Sequence, residues 1–133
     1  MKVLVATENP YSKVAVDGIQ KIVEGAGYTF AKLEKYASPA ELLAAVADAD
    51  ALIVRSDKVT KEVVDAAKNL KIVVRAGAGY DNIDLEAATK AGVVVMNTPG
   101  QNANAVAELA IGLMIYMARN QFNPSTGVEI AGK

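Results

Sequence analysis

Arginine occurs at positions 55, 75 and 119, and the first two each close a short apolar run. Arg55 follows Ala51-Leu52-Ile53-Val54 and leads into Ser56-Asp57-Lys58, while Arg75 follows Ile72-Val73-Val74 and opens Ala76-Gly77-Ala78-Gly79-Tyr80. A guanidinium stays charged at every working pH and offers a planar fork to a carboxylate or phosphoryl group. Glycines beside it let backbone amides approach the same anion. Two such arginines at the ends of adjacent strands would converge on one small anion. The competing reading is that Arg55 and Arg75 are solvated or pair with Asp57 and Asp81 as structural ions.

Absences narrow the chemistry further. The 133 residues contain no Cys, which excludes disulfides, thiolate zinc sites and thiol nucleophiles, and no His, which removes imidazole ligation and the Ser-His-Asp arrangement. No metal site is expected, and a carboxylate, Lys or Tyr would have to carry any acid-base step. Fourteen basic against fifteen acidic side chains give a net charge of −1, without the basic surplus of a nucleic-acid binder. A 52% hydrophobic content and this length suit one folded core. The apolar start Val3 to Ala6 is interrupted by Thr7-Glu8-Asn9, so no secretory leader is expected. The longest nearly apolar stretch, Ala103 to Ala118, carries Glu108 and is shorter than the roughly 20 residues of a spanning helix. A cytoplasmic protein with no membrane partner is the default expectation.

The elements that must position these residues are legible as a pattern. Val3-Leu4-Val5-Ala6, Ala51-Leu52-Ile53-Val54, Ile72-Val73-Val74 and Val93-Val94-Val95-Met96 are continuous β-branched runs, as strands buried on both faces of a parallel sheet require. A fifth run, Tyr28 to Leu33, is more mixed and reads as an edge. Helix-length segments separate them. Ser38-Pro39-Ala40-Glu41 is a capping box with proline in the first helical position; Thr60 and Asp84 are N-caps; Gly25 or Gly27 and Gly92 suit the left-handed residue that ends a helix. In the first helix Ala15, Ile19, Ile22, Val23 and Ala26 share a face. The order predicts an α/β fold: a flavodoxin-like parallel five-stranded sheet, order 2-1-3-4-5, with helices on both faces. Residues 1–98 form that domain.

Ligands of such sheets bind beyond the carboxyl ends of the strands. The loops to read are therefore Thr7-Glu8-Asn9-Pro10, Arg55-Ser56-Asp57-Lys58, Arg75 to Tyr80, and Asn97-Thr98-Pro99. Gly77-Ala78-Gly79 fails as a dinucleotide fingerprint: Asn82 stands where the third Gly or Ala belongs, and Asn97 stands where an acid should hold the ribose. A phosphate-accepting receiver domain shares the sheet order, but it needs clustered acids after the first strand and an Asp closing the third. Thr7-Glu8 and Arg55 occupy those places, and a cation site between arginines is electrostatically wrong.

Residues 99–133 differ in character. A turn-rich Asn97-Thr98-Pro99-Gly100-Gln101-Asn102 leads into a helix that is apolar on nearly every side, and a polar stretch, Asn123-Pro124-Ser125-Thr126-Gly127, follows. Such a helix needs a cover. Either it packs on its own sheet or a second domain or subunit buries it.

Val74-Arg75-Ala76-Gly77-Ala78-Gly79-Tyr80-Asp81-Asn82-Ile83-Asp84, with Ile53-Val54-Arg55-Ser56 before it and Val95-Met96-Asn97-Thr98-Pro99 and Asn104-Ala105-Val106-Ala107-Glu108-Leu109 after it, resembles the amino-terminal part of the D-2-hydroxyacid dehydrogenases. The resemblance covers essentially the whole chain. It implies a two-domain NAD enzyme, with residues 1–98 as the substrate domain and 99–133 as hinge, first helix and start of a cofactor domain. Arg55 and Arg75 match positions near the phosphate or carboxylate end of a small anionic substrate. Ala76, Gly77 and Gly79 match the loop whose amides hold the substrate carboxylate, Ser56 and Asn97 complete the substrate side, and Ala78 matches a position that approaches the cofactor, where relatives often carry Thr. The helix implies a homo-oligomer contact through Val106, Leu109, Leu113 and Met117. The family's catalytic Arg, Glu and His have no counterpart among these residues, so none is assigned a catalytic role and no turnover is expected from them alone. Outside the resemblance, the same arginines and loop suit a non-catalytic binding module for small anions, and the helix suits an oligomerisation module.

Overall fold

The computed structural model describes residues 1–119 and the backbone of residues 122–123 and 127–128. The chain forms two compact units, Met1–Pro99 and Gly100–Lys133.

The first unit is built on five parallel strands, β1 (Lys2–Thr7), β2 (Thr29–Glu34), β3 (Ala51–Val54), β4 (Ile72–Arg75) and β5 (Val94–Asn97), in the order β2-β1-β3-β4-β5. The α/β class, sheet order and flavodoxin-like connectivity are those expected from the apolar runs. Helices α1 (Lys13–Gly25), α2 (Pro39–Val46), α3 (Lys61–Ala66) and α4 (Leu85–Lys90) make the crossovers. Because successive strand residues point to opposite faces, Leu4, Ala6, Leu52, Val54 and Val73 pack with Leu42, Val46, Val63, Val64 and Ala88 of α2, α3 and α4. Val3 and Ala51 pack with Val23 of α1 on the other face, joined by Ile19, Phe30, Ile53 and Ile72. Strand β2 buries none of its six residues fully, as its mixed composition predicts for an edge.

Local signals explain where the helices begin and end. The Glu41 carboxylate accepts the amides of Ala37 and Ser38, both at 3.1 Å, and Pro39 occupies the first turn of α2. The Asp84 side chain accepts from the Ala87 amide at 2.9 Å. Gly27 and Gly92 take φ of 76° and 71° beyond the ends of α1 and α4, where a Cβ would be strained. Thr60 precedes α3, but its side chain makes no capping bond to the helix backbone.

The apolar face of α1 differs in part from the expected one: Ile19 and Val23 lie on it as expected, and Ile22 does not. Val16 and Val23 are buried, whereas Ile22 is 75% exposed. Two apolar stripes run side by side along this helix, one through residues 15, 19, 22 and 26 and one through 16, 19 and 23. Only the second meets the sheet.

Strand register aligns the carboxyl ends. Val54 lies opposite Arg75, and Arg75 opposite Asn97, so Arg55 stands one residue past the last rung shared with Arg75. Beyond the ladder, Ala76 N–H donates to the Val54 carbonyl at 2.8 Å, and a parallel bridge between Val59 and Ile83 ties the β3 loop to the β4 loop.

In the second unit, α5 (Ala103–Ala118) buries none of its residues, and Val106, Leu109, Leu113 and Met117 are all exposed. Strands β6 (Phe122–Asn123) and β7 (Gly127–Val128) pair antiparallel. The rest of the expected polar stretch, 124–126, lies outside the described residues. No helix among the described residues is long and apolar enough to cross a membrane.

Candidate functional site

The strand ends are joined by one buried carboxylate. Asp57, 4% exposed, accepts the Glu8 amide at 2.7 Å and the Tyr36 hydroxyl at 2.8 Å on Oδ1, and the Arg55 amide at 3.3 Å on Oδ2. The Asp57 carbonyl takes Asn82 Nδ2 at 2.7 Å. The loops that follow β1, β2, β3 and β4 are therefore fixed to a single residue. Lys35 takes a left-handed φ of 57° just before Tyr36, a conformation that non-glycine residues adopt at some cost and that the Tyr36 bond to Asp57 helps to hold. Burial, followed by the hydrogen bond to Asp57, pushes the Tyr36 phenol far above its ordinary value, so Tyr36 is a permanent donor. The first loop is closed internally by Thr7 Oγ1, which donates to the Asn9 carbonyl at 2.7 Å.

Neither arginine is part of an ion pair among the described residues. Asp57 meets Arg55 through the backbone amide rather than the guanidinium. Arg55 and Ser56 are exposed; Arg75 is half-buried. The Arg75 guanidinium lies directly over Gly77, where a Cβ would occupy the space of its Nη1. Gly77 is thus the seat of the arginine head, a packing reason for glycine that needs no unusual backbone angle. Arg75 Nε is buried without a hydrogen-bond partner.

The loop amides divide into two groups. Ala76 N–H extends the ladder to Val54, and Gly77 N–H closes a tight turn on the Arg75 carbonyl at 2.9 Å, a bent seven-membered ring that a charged acceptor can replace. Ala78 and Gly79 make no such contact through their amides among the described residues. Asn97 Nδ2 donates to the Ala78 carbonyl at 2.7 Å, and Thr98 N–H donates to Gly77 O at 2.9 Å. Asn97 therefore fixes the glycine loop from β5. Ser56 lines two open grooves of about 420 and 400 Å³, one shared with Lys58, Thr60 and Asn82 and the other with Glu8, Tyr36 and Asp57. Neither groove is lined by Arg55 or Arg75.

Reading the motifs alone misses Tyr11 and misjudges Asp57, whose competing role as an ion-pair partner of Arg55 is replaced here by that of a hydrogen-bond acceptor for several loops. Tyr11 stands one residue past the Thr7-to-Pro10 loop. The Tyr11 hydroxyl is buried without a partner, and its phenol feels the charges of Asp57, Arg55 and Arg75 together.

Comparison with known proteins gives this geometry a family. The model of the D-isomer specific 2-hydroxyacid dehydrogenase catalytic domain matches residues 4–129. The chain belongs to that family. It is 53% identical over 81 residues to D-3-phosphoglycerate dehydrogenase of Methanocaldococcus jannaschii, covering 60% of this chain and 16% of the relative. To hydroxypyruvate reductase of Thermotoga maritima it is 52% identical over 81 residues, covering 60% of this chain and 26% of the relative. Among solved structures, the NAD+-bound 3-phosphoglycerate dehydrogenase of Entamoeba histolytica superimposes with a TM-score of 0.87 at 50% identity, covering 96% of this chain and 42% of that one. The chain thus spans about a sixth to a quarter of the length of these curated relatives. The family resemblance seen at the arginine and glycine loops holds along the chain.

Proposed function

We propose that these residues are the substrate-binding portion of an NAD-dependent D-2-hydroxyacid dehydrogenase acting on 3-phospho-D-glycerate, the oxidation that opens serine biosynthesis. One observation carries the reading: two arginines without ion-pair partners stand at the ends of adjacent strands beside a glycine loop with free amides. Arg55 and Arg75 bind the anionic ends of the substrate, and the Ala78 and Gly79 amides reach its carboxylate, joined by Gly77 N–H when its tight turn opens; the Ala76 amide, held by the Val54 carbonyl, takes no part. Ser56 and Asn97 border the site, Asn97 by fixing the loop. Guanidinium forks bind oxyanions whatever the pH, so binding does not wait on a titrating group of this chain.

The residues present do not themselves hold a dinucleotide. Asn82 stands where the fingerprint requires a small residue, and Asn97 where an acid should hold the ribose. NAD belongs to the reading through the family, with Ala78 as the point of approach and a methyl group where relatives often offer a hydroxyl. In the same reading residues 1–98 are the substrate domain, residues 99–133 begin the cofactor domain, and Val106, Leu109, Leu113 and Met117 of α5 contact a second subunit of a cytoplasmic enzyme.

Thermal unfolding with and without millimolar 3-phospho-D-glycerate, for the unaltered chain and for Arg55→Ala and Arg75→Ala, tests the proposal. A ligand present at 100 times its Kd stabilises by about 2.7 kcal/mol. We expect a rise in Tm that both substitutions abolish, with no NADH formed by these 133 residues alone. No rise, or a rise that survives both substitutions, would overturn the arginine assignment. Binding that persists in the full-length enzyme without any turnover would favour a non-catalytic anion-binding module.

A further inference from the structure

An open parallel sheet takes its ligands at a switch point, where successive crossovers leave in opposite directions and a crevice opens beyond the strand ends. Here the chain passes from β1 to β2 on one side, then returns through α2 to β3 on the other side of β1. The switch point therefore lies between β1 and β3. The anion site proposed above is centred instead on the ends of β3 and β4.

A groove of about 400 Å³ occupies the switch point, within the roughly 300–1,000 Å³ of small-molecule sites. Glu8 lines it from the loop after β1, and Asp57 and Lys58 line it from the loop after β3. Leu42 of α2 and Val63 of α3, 3% and 5% exposed, give it an apolar floor. Neither Arg55 nor Arg75 borders it.

The charges around this groove are open to a ligand. Glu8 and Lys58 are exposed, and neither is in an ion pair among the described residues. Asp57 is 4% exposed yet lines the groove. Its Oδ1 accepts two hydrogen bonds, whereas Oδ2 accepts only the Arg55 amide at 3.3 Å. A carboxylate has about four acceptor positions, two on each oxygen, so Oδ2 keeps one for a further donor. Two carboxylates and one ammonium over an apolar floor complement a molecule that carries an ammonium, a carboxylate and an aliphatic chain. A simple acid would face Glu8 and Asp57 as like charges, and a simple amine would leave Lys58 unmatched.

We propose that the groove between β1 and β3 is a second binding site, which takes a zwitterionic α-amino acid with an aliphatic side chain. The ligand ammonium meets Glu8 and Asp57 Oδ2, its carboxylate meets Lys58, and its side chain covers Leu42 and Val63. This site does not use the arginines and stands independently of the anion site.

Titration calorimetry of the unaltered chain with L-alanine, L-valine and L-leucine tests the assignment. Two analogues of L-leucine serve as controls: 4-methylpentanoate, which lacks the ammonium, and 3-methylbutylamine, which lacks the carboxylate. L-Leucine is expected to bind, and both analogues at least tenfold more weakly. Glu8→Gln and Lys58→Met are each expected to weaken L-leucine at least tenfold, with the ligand-free Tm and the binding of 3-phospho-D-glycerate unchanged. No saturable binding of any of the three amino acids at millimolar concentration would overturn the site. Analogues that bind as tightly as L-leucine would overturn the zwitterion, and affinity that survives both substitutions would place the ligand elsewhere. Because Ser56 borders the groove as well as the anion site, a variant that weakens 3-phospho-D-glycerate would make the groove part of the substrate site, and the second site would fall.

Discussion

The two rims of the same sheet are finished in opposite ways. At the amino ends of the strands charges are matched: Lys2 Nζ meets Asp48 at 2.6 Å, the Lys2 amide meets Asp50 at 2.7 Å, and Lys71 Nζ reaches Asp50 at 3.2 Å. At the carboxyl ends, among the described residues, Arg55 and Arg75 have no ionic partner, and three buried side-chain atoms, of Tyr11, Arg75 and Asn82, have no hydrogen bond. Strand composition does not account for this, since both rims terminate the same apolar strands. On the proposed function the difference has a reason: a rim that only closes the fold can satisfy its own groups, whereas a rim that receives an anion leaves donors unmatched until the anion arrives.

The open rim is held in shape by Asp57, and removing it is the most severe way to break the contrast. Asp57→Ala leaves the Tyr36 hydroxyl and two backbone amides without their acceptor. It should cost about 3 kcal/mol of stability, at roughly 1 to 3 kcal/mol for each buried group left unsatisfied. Chemical denaturation should show this as a lowered midpoint with unchanged slope, and anion binding should be lost with it. A denaturation midpoint within error of the unaltered chain would mean that the four loops hold themselves in place.

Gly77→Ala acts on function rather than fold. Its methyl group takes the space of the Arg75 head, and Gly77 has no left-handed φ to strain. Binding of 3-phospho-D-glycerate measured by calorimetry should weaken at least tenfold, with Tm within a few degrees of the unaltered chain. Undiminished affinity would show that Arg75 binds from some other position.

The smallest effect belongs to the closed rim. The Lys2 side chain holds Asp48, and the Lys2 amide followed by Lys71 holds Asp50, below their ordinary value of 3.8. Carboxyls that titrate lower in the folded state favour folding above the unfolded pKa, and this contribution is lost as pH falls through the folded values. The pair Asp48→Asn and Asp50→Asn should therefore flatten the loss of Tm on acidification below about pH 4, and lower Tm slightly at neutral pH. Anion affinity should not change. A change in affinity would mean that the two rims are coupled through the strands.

Much of the fold was legible because its signals are local. Continuous β-branched runs mark strands covered on both faces, and the Ser38 to Glu41 box and Asp84 mark helix starts through hydrogen bonds spanning three residues. The α1 face was read differently because residues 15, 19, 22 and 26 form as regular a stripe as 16, 19 and 23. Helical spacing ranks both alike, and contact with Val3 and Ala51 of the sheet decides between them.

Arg55 and Arg75 stood out in the sequence because they are rare and each follows a strand. The amide roles did not, since whether Ala76 N–H is free or bonded to Val54 depends on a neighbouring strand distant in the sequence. Tyr11 was silent for the same reason, and Asp57 stood out only as an ion-pair partner for Arg55: their importance lies in having, or lacking, partners from distant loops.

The sequence by itself determined the element order, the absence of thiol and imidazole chemistry, and the two cationic side chains that end adjacent strands. These follow from residue type and short-range spacing. Tertiary structure alone decided that Asp57 would bind four loops together, that Gly77 would seat the Arg75 guanidinium, and that the Tyr11 hydroxyl would be buried without a partner. Satisfaction of a polar group is a property of everything packed around it, and in a parallel sheet those neighbours are brought together only by crossovers from distant parts of the chain.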